Sequence, residues 1–102
     1  MRKFVLSKTA SKKLDKLLDY LKHNWSDKVK NEFVKKLDKA ITQINYFPES
    51  CPKSKIEVGL HVKIITKQTS FYYKYDETMI KIVAIFDNRM DPNKLKKEIK
   101  KD

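Results

Sequence analysis

Two amphipathic runs separated by a very short link constrain the fold of this chain most strongly. In both runs the apolar residues recur at steps of mostly three or four, which is the spacing of one face of an α-helix. The first face consists of Ala10, Leu14, Leu17, Leu18, Leu21 and Trp25. The second face consists of Val29, Phe33, Leu37, Ala40, Ile41, Ile44 and Phe47. The pattern predicts helices at about 8–24 and 27–47.

The sequence also predicts where these helices begin and end. Ser7 and Ser26 stand where an N-cap is needed, because a serine oxygen can accept a bond from a free N–H of the first turn. Pro48 ends the second run, since the residue before a proline avoids the helical region. A link of about two to four residues forces the two helices into an antiparallel hairpin.

The remaining apolar segments read as strands. Residues rich in β-branched and aromatic side chains predict strands at 2–6, 60–67, 70–76 and 78–87. The links between the last three are short, so these strands should form an antiparallel meander. Asp91 and Pro92 are typical of a helix start and predict a short basic helix reaching Lys101.

The order strand, helix, helix and three strands predicts an α+β fold in one domain spanning residues 1–102. The helix hairpin packs on one face of a small, mainly antiparallel sheet. A hairpin of this length covers one face only. The other face then carries large side chains, with Tyr72 or Tyr73 and Val83 or Ile85 as candidates, and we expect a partner to bind there.

Charge sets the kind of partner. The chain has 24 basic and 13 acidic residues, a net charge of +11, and such a surface attracts nucleic acid, ribosome, a membrane surface or an acidic protein. A lysine-biased genome would produce the same excess without selection for binding. One cysteine excludes an internal disulfide and predicts a cytoplasmic protein, and we expect no signal peptide or membrane span.

Cofactor chemistry is not predicted. His23 and His61 lie on different elements without ligand spacing and are expected at the surface; no metal, cofactor or small-molecule substrate is expected. Cys51 is interpreted as incidental.

Lys63 and Lys74, on neighbouring predicted strands, form either a basic groove or two solvated lysines.

The aromatic strand admits two interpretations as well. Phe71, Tyr72, Tyr73 and Tyr75 either stack nucleic-acid bases or place alternate members in the core, and the core interpretation is favoured.

The most apolar strand runs directly into a charged cluster with one of the two arginines. Arg89 follows the strand, so a rigid backbone would aim its side chain. Asp87 and Asp91 flank it at two residues on either side. Two interpretations stand: a local ion pair that orders the strand exit, or a functional arginine.

The order of elements, together with "LDKLLDYLKHNWSDKVKNEFVKKLDKAITQINYFPE" and "YYKYDETMIKIVAIFDNRMDPNKL", resembles the RelE/ParE superfamily of bacterial type II toxins. The Tyr-Leu…Trp-Ser join of the helices and the Phe-Pro end look like the ParE side, and the closing Asp-x-Arg-x-Asp-Pro is similar to the most recognisable signature of the whole superfamily. The resemblance covers nearly the whole chain. It implies a growth-inhibiting toxin that a cognate antitoxin neutralises with a flexible acidic segment.

The resemblance implies two competing mechanisms. ParE-like members bind DNA gyrase without hydrolytic chemistry, whereas RelE-like members cut mRNA on the ribosome without metal. Arg89 matches the family arginine past the last strand. A second arginine of the RelE type would fall within about one residue of Ser70, and a C-terminal aromatic would fall near Leu95; neither residue type is present there.

Without these residues the nuclease constellation is incomplete, since lysine at its ordinary pKa is a poor base at pH 7. The ParE-like, non-enzymatic mechanism is therefore favoured. A ribosome-dependent endoribonuclease using Arg89, Lys63 and Lys74 remains the alternative. Target or antitoxin binding is predicted for Arg89, Lys63, Tyr72, Lys74 and Asp87.

Overall fold

The helix hairpin forms where the caps predict it. In the computed structural model, which describes residues 2–100, the Ser7 Oγ accepts a hydrogen bond from the Ala10 N–H at 3.0 Å. The Ser26 Oγ does the same for the Val29 N–H at 3.1 Å. The elements are β1 (Lys3–Leu6), α1 (Lys8–Asn24), α2 (Asp27–Tyr46), a 3-10 turn (Pro48–Ser50), β2 (His61–Ile64), β3 (Thr69–Tyr75), β4 (Met79–Asp87) and α3 (Pro92–Lys100). The predicted order is confirmed.

The four strands form one mixed sheet in the order β1-β4-β3-β2. The last three strands are an antiparallel meander as predicted, while β1 pairs in parallel with β4. The apolar strand β4 therefore lies between two neighbours, and seven of its nine residues are apolar because both its faces are covered.

A β-bulge in β4 decides which side chains face the hairpin. Tyr72 pairs with Ala84, but the next residue, Tyr73, pairs with Ile82, so Val83 is the extra residue on β4. As a result Ile82 and Ile85 both reach the core under the helices, although three positions separate them. This core also holds Phe33, Leu37, Ile44, Phe71, Tyr73 and Ile80, with Leu14, Leu17, Leu21 and Ile41 half-buried against it.

The second face of the sheet is not the open apolar face that was predicted. α3 lies on it, and Leu95 is only 1% exposed where it packs with Ala84 and Phe86. Ile56, Tyr72 and Ile99 pack half-buried around this smaller cluster. The hairpin covers only one face, but the C-terminal helix buries the apolar end of the other.

Several side chains lie where the sequence pattern did not place them. Trp25 and Phe47 are 67% and 60% exposed, because each occupies a C-cap position where the backbone has left the helical conformation. His61 was expected at the surface but is buried, with its ring stacked on Tyr73 at 5.4 Å. β2 ends at Ile64, earlier than predicted, because a tight turn closes the chain into β3.

No helix within residues 2–100 is long and apolar enough to cross a membrane.

Candidate functional site: a basic groove at the end of β4

A cavity of about 880 Å³ lies between the helix hairpin and the C-terminal end of β4. We call it the hairpin groove. Its walls come from α1, α2, the β2–β3 turn and the end of β4, and its floor includes Phe33 and Ile85. Apolar floor and charged rim therefore meet beside the strand exit, the segment that carries Arg89.

Arg89 lies at the rim of this groove and is held by a two-point ion pair. Its Nε and Nη2 donate to the two carboxylate oxygens of Asp87 at 3.0 and 2.7 Å. The Arg89 backbone N–H also donates to the same carboxylate at 2.9 Å. These hydrogen bonds lower the pKa of Asp87 to about 2 and raise the pKa of Arg89. Asp87 takes up the Nε–Nη2 edge of the guanidinium, so the Nη1 edge points away from this ion pair.

The strand exit itself is fixed by backbone contacts. The Asn88 N–H donates to the Gln68 carbonyl at 2.7 Å, which ties the end of β4 to the β2–β3 turn. Asp91 does not pair with Arg89; its carboxylate accepts from the Asn93 N–H at 2.9 Å and starts α3. Of the two interpretations of Arg89, the local ion pair is present, and it is formed with Asp87 at the rim of the groove.

Two exposed aromatic rings line the hairpin groove. Tyr20 is 54% exposed and Trp25 is 67% exposed, and both belong to the α1 wall. Sequence reasoning did not single out Tyr20 and placed Trp25 in the core. The available signal was position: Trp25 ends the apolar stripe of α1, and a residue beyond the last turn has less of the sheet beneath it.

The rim of the groove is basic. Lys16, Lys36 and Lys67 are exposed on it, and within residues 2–100 none of them forms an ion pair. Glu32 and the paired Asp87 are the acidic residues of the lining. The groove therefore carries an excess of positive charge beside an apolar floor, which suits an anionic, partly apolar occupant.

Of the two alternatives for Lys63 and Lys74, the shared basic groove is not formed. Lys63 pairs with Phe71 on the hairpin face, and its Nζ donates to Gln43 at 2.6 Å. Lys74 points to the opposite face, where its Nζ lies 2.6 Å from the Glu57 carboxylate. Lys63 pairs with Phe71, three residues before Lys74, and because side chains alternate along a strand, this odd separation places the two lysines on opposite faces.

The aromatic strand supports the core interpretation. Phe71 and Tyr73 are buried under the helices, and the Tyr73 hydroxyl donates to the Pro48 carbonyl at 2.6 Å. Tyr72 lies half-buried on the α3 face, where burial raises its pKa. None of these three rings lines the hairpin groove.

Neither position of the missing nuclease residues is open to solvent. Ser70 is 2% exposed within β3, and Leu95 is a core residue of the α3 face. Among the predicted site residues, the fold brings Arg89 together with Asp87, but not with Lys63, Lys74 or Tyr72. Within residues 2–100 no group of three or more His, Cys, Asp or Glu side chains is placed to hold a metal ion.

The comparisons with known proteins agree with this architecture. The family described as "ParE toxin of type II toxin-antitoxin system, parDE" matches residues 4–92. A chain from the chromosomal ParDE toxin–antitoxin system of P. aeruginosa has the same fold, with a TM-score of 0.66 and 14% sequence identity over 85% of this chain and 96% of that chain. No curated protein sequence matches. Since the family match covers most of the 102 residues, this chain belongs to the ParE toxin family and is the toxin component of a type II toxin–antitoxin system.

Proposed function

We propose that this toxin inhibits growth by binding DNA gyrase in the cytoplasm as a single-domain protein, without hydrolytic chemistry of its own. The observation that carries the proposal is the burial of Leu95. Some members of the ribonuclease branch carry an aromatic side chain near this position, whereas here it is filled by a core residue under α3. An aromatic group at that site would lie inside the protein and away from any RNA.

The arrangement of the basic side chains also supports a binding protein over a nuclease. Metal-free cleavage needs a base near the 2′-hydroxyl and positive charge near phosphorus in one place. Lys63 and Lys74 lie on opposite faces of the sheet, and each is bonded to a neighbouring side chain. Arg89 has Asp87 as its partner, which orients a donor for recognition.

Family membership implies an antitoxin partner. We propose that an acidic, amphipathic antitoxin segment lies in the hairpin groove, since α3 already covers the apolar end of the other sheet face. Its carboxylates would meet Lys16, Lys36 and the outward side of Arg89. Its apolar side chains would cover Trp25 and the groove floor.

The gyrase proposal is tested with two assays, one on the purified toxin and one in cells after induction of the toxin. DNA gyrase supercoiling should be inhibited, while primer extension on a reporter mRNA after induction should show no ribosome-dependent cleavage. Arg89→Ala should weaken gyrase inhibition at least tenfold, because it removes about one charge-assisted hydrogen bond to the target. Arg2→Ala removes the same charge away from the groove and is the matched control.

Ribosome-dependent cleavage with unaffected gyrase would overturn this mechanism in favour of the endoribonuclease alternative.

The antitoxin proposal has its own test. Co-expression with the adjacent reading frame should give a complex, and a segment present at 1,000 times its Kd should stabilise the toxin by about 4 kcal/mol. An unchanged melting temperature on adding that segment would contradict it.

A further inference from the structure

The hairpin groove continues into a second cavity. This cavity, of about 300 Å³, lies between the start of α1 and α3. Lys13 and Phe86 line both cavities, so the two form one continuous surface. The Lys13 Nζ lies 5.4 Å from the centre of the Phe86 ring and 3.3 Å from the Glu98 carboxylate, which holds it in place between them.

Positive charge runs along the whole surface and is largely uncompensated. Asp87 and Glu98 are already paired with Arg89 and Lys13, respectively. Five further lysines form no ion pair within the part of the chain that the structure describes, and Glu32 is the remaining acidic residue of the linings. They are Lys16, Lys36 and Lys67 in the groove and Lys94 and Lys97 in the second cavity.

Exposed rings interrupt this line of charge. Tyr20 and Trp25 present more than half of their surface to solvent within the groove. A Trp side chain so exposed is costly to leave in water and offers a flat face of a size that suits a nucleobase.

We propose that this surface, from Trp25 to Lys97, binds single-stranded nucleic acid. The lysines follow the phosphodiester backbone as point charges, and the rings of Tyr20 and Trp25 stack bases without reading their identity. A stiff duplex keeps its bases stacked internally, so it can use the lysines but not the rings. The proposal deepens the gyrase function, on which its cellular meaning rests, by assigning the toxin a direct contact to nucleic acid. An acidic antitoxin segment in the groove would then compete with the strand.

The test measures binding of the full-length toxin to fluorescein-labelled oligonucleotides of about 12 nucleotides by anisotropy, as single-stranded DNA, single-stranded RNA and duplex DNA. A groove variant carries Lys16→Gln, Lys36→Gln and Lys67→Gln. A control variant carries Lys12→Gln, Lys22→Gln and Lys39→Gln, three exposed lysines that line neither cavity. Both variants lower the net charge from +11 to +8, so they differ only in where the charge is lost.

The five unpaired lysines predict a slope of log K against log salt of about −3.5 for a single strand. The groove variant should reduce this slope by about two units and the affinity about 100-fold at 0.1 M salt. The control variant should bind within about threefold of the wild type. Equal losses of affinity in the two variants would overturn the proposal, because binding would then depend on net charge alone and not on this surface.

Stacking has an independent readout. Trp25 is the chain's single tryptophan, so its fluorescence should be quenched when the strand binds. Trp25→Ala should weaken the binding measured by anisotropy about tenfold, whereas Phe47→Ala, a similarly exposed aromatic outside both cavities, should not. Unquenched Trp25 fluorescence, or a preference above about tenfold for duplex DNA over both single strands, would overturn the proposal.

These assays contain no gyrase, so the two proposals fail separately. Strand binding without gyrase inhibition supports this surface and contradicts the gyrase mechanism. Gyrase inhibition without strand binding supports the gyrase mechanism and contradicts the nucleic-acid surface.

Discussion

Leu95→Ala tests whether α3 is an integral part of the toxin fold. Leu95 is 1% exposed, and its side chain fills the space between α3 and the β4 residues Ala84 and Phe86. Truncating a buried leucine costs about 2–5 kcal/mol, depending on how far the surroundings collapse into the cavity. α3 is a surface helix of nine residues that can move inward, so we expect the lower part of this range, about 3 kcal/mol.

This loss converts into a measurable melting temperature. A chain of 102 residues has an unfolding entropy near 0.2 kcal/mol per kelvin, so the melting temperature should fall by about 14 °C. The assay is thermal unfolding followed by circular dichroism at 222 nm and by calorimetry. Ile64→Ala is the matched control, because it removes the same atoms from a side chain that is 65% exposed. We expect a change of less than about 3 °C for it.

Equal, small shifts for the two variants would refute the reasoning, because Leu95 would then not be buried in solution. Such a result would also remove the main support for the non-enzymatic mechanism, which depends on the same burial.

Three further outcomes follow from the same contacts. Leu95→Tyr should destabilise the toxin by about 2–4 kcal/mol through overpacking and an unpartnered hydroxyl, and primer extension should still detect no mRNA cleavage; new cleavage would contradict the burial argument. Ser26→Ala should cost about 1 kcal/mol in urea unfolding, since the Val29 N–H loses its cap; an unchanged midpoint would show that the link between α1 and α2 does not depend on this bond. An NMR titration should give Asp87 a pKa of about 2 against an ordinary 3.8, and Arg89→Ala should return it towards 3.8. Because the folded pKa is lowered, the stabilisation from this pair is complete above the ordinary value and is lost as pH falls towards 2; a wild-type pKa near 3.8 would mean that the pair does not form.

The local signals in the sequence were sufficient for the elements and their order. Helix periodicity, the serine caps at Ser7 and Ser26 and the proline at Pro48 depend on neighbours within a few residues, and the structure confirms all of them. The same holds for Asp91 and Pro92, which start α3. The short links also determined the hairpin and the meander, because a short loop permits little else.

Which face each strand residue points to was decided only by tertiary pairing. The bulge at Val83 shifts the alternation of β4 by one residue, so Ile82 and Ile85 share a face that a strict period of two would deny them. Register likewise sent Lys63 and Lys74 to opposite faces. Such pairings join residues distant in sequence, and composition or local spacing does not record them.

The candidate site combines both kinds of information. The sequence by itself singled out Arg89 and Asp87, because an arginine directly after a buried strand is unusual in a chain with two arginines. It did not reveal that α1, α2 and the β2–β3 turn surround that strand end, nor that Trp25 is exposed there. The apolar stripe of a helix predicts that a face is buried, but the packing of distant elements decides where the covered region stops. The hairpin groove exists because α1, α2, the β2–β3 turn and the end of β4 meet in one place, which only the assembled fold determines.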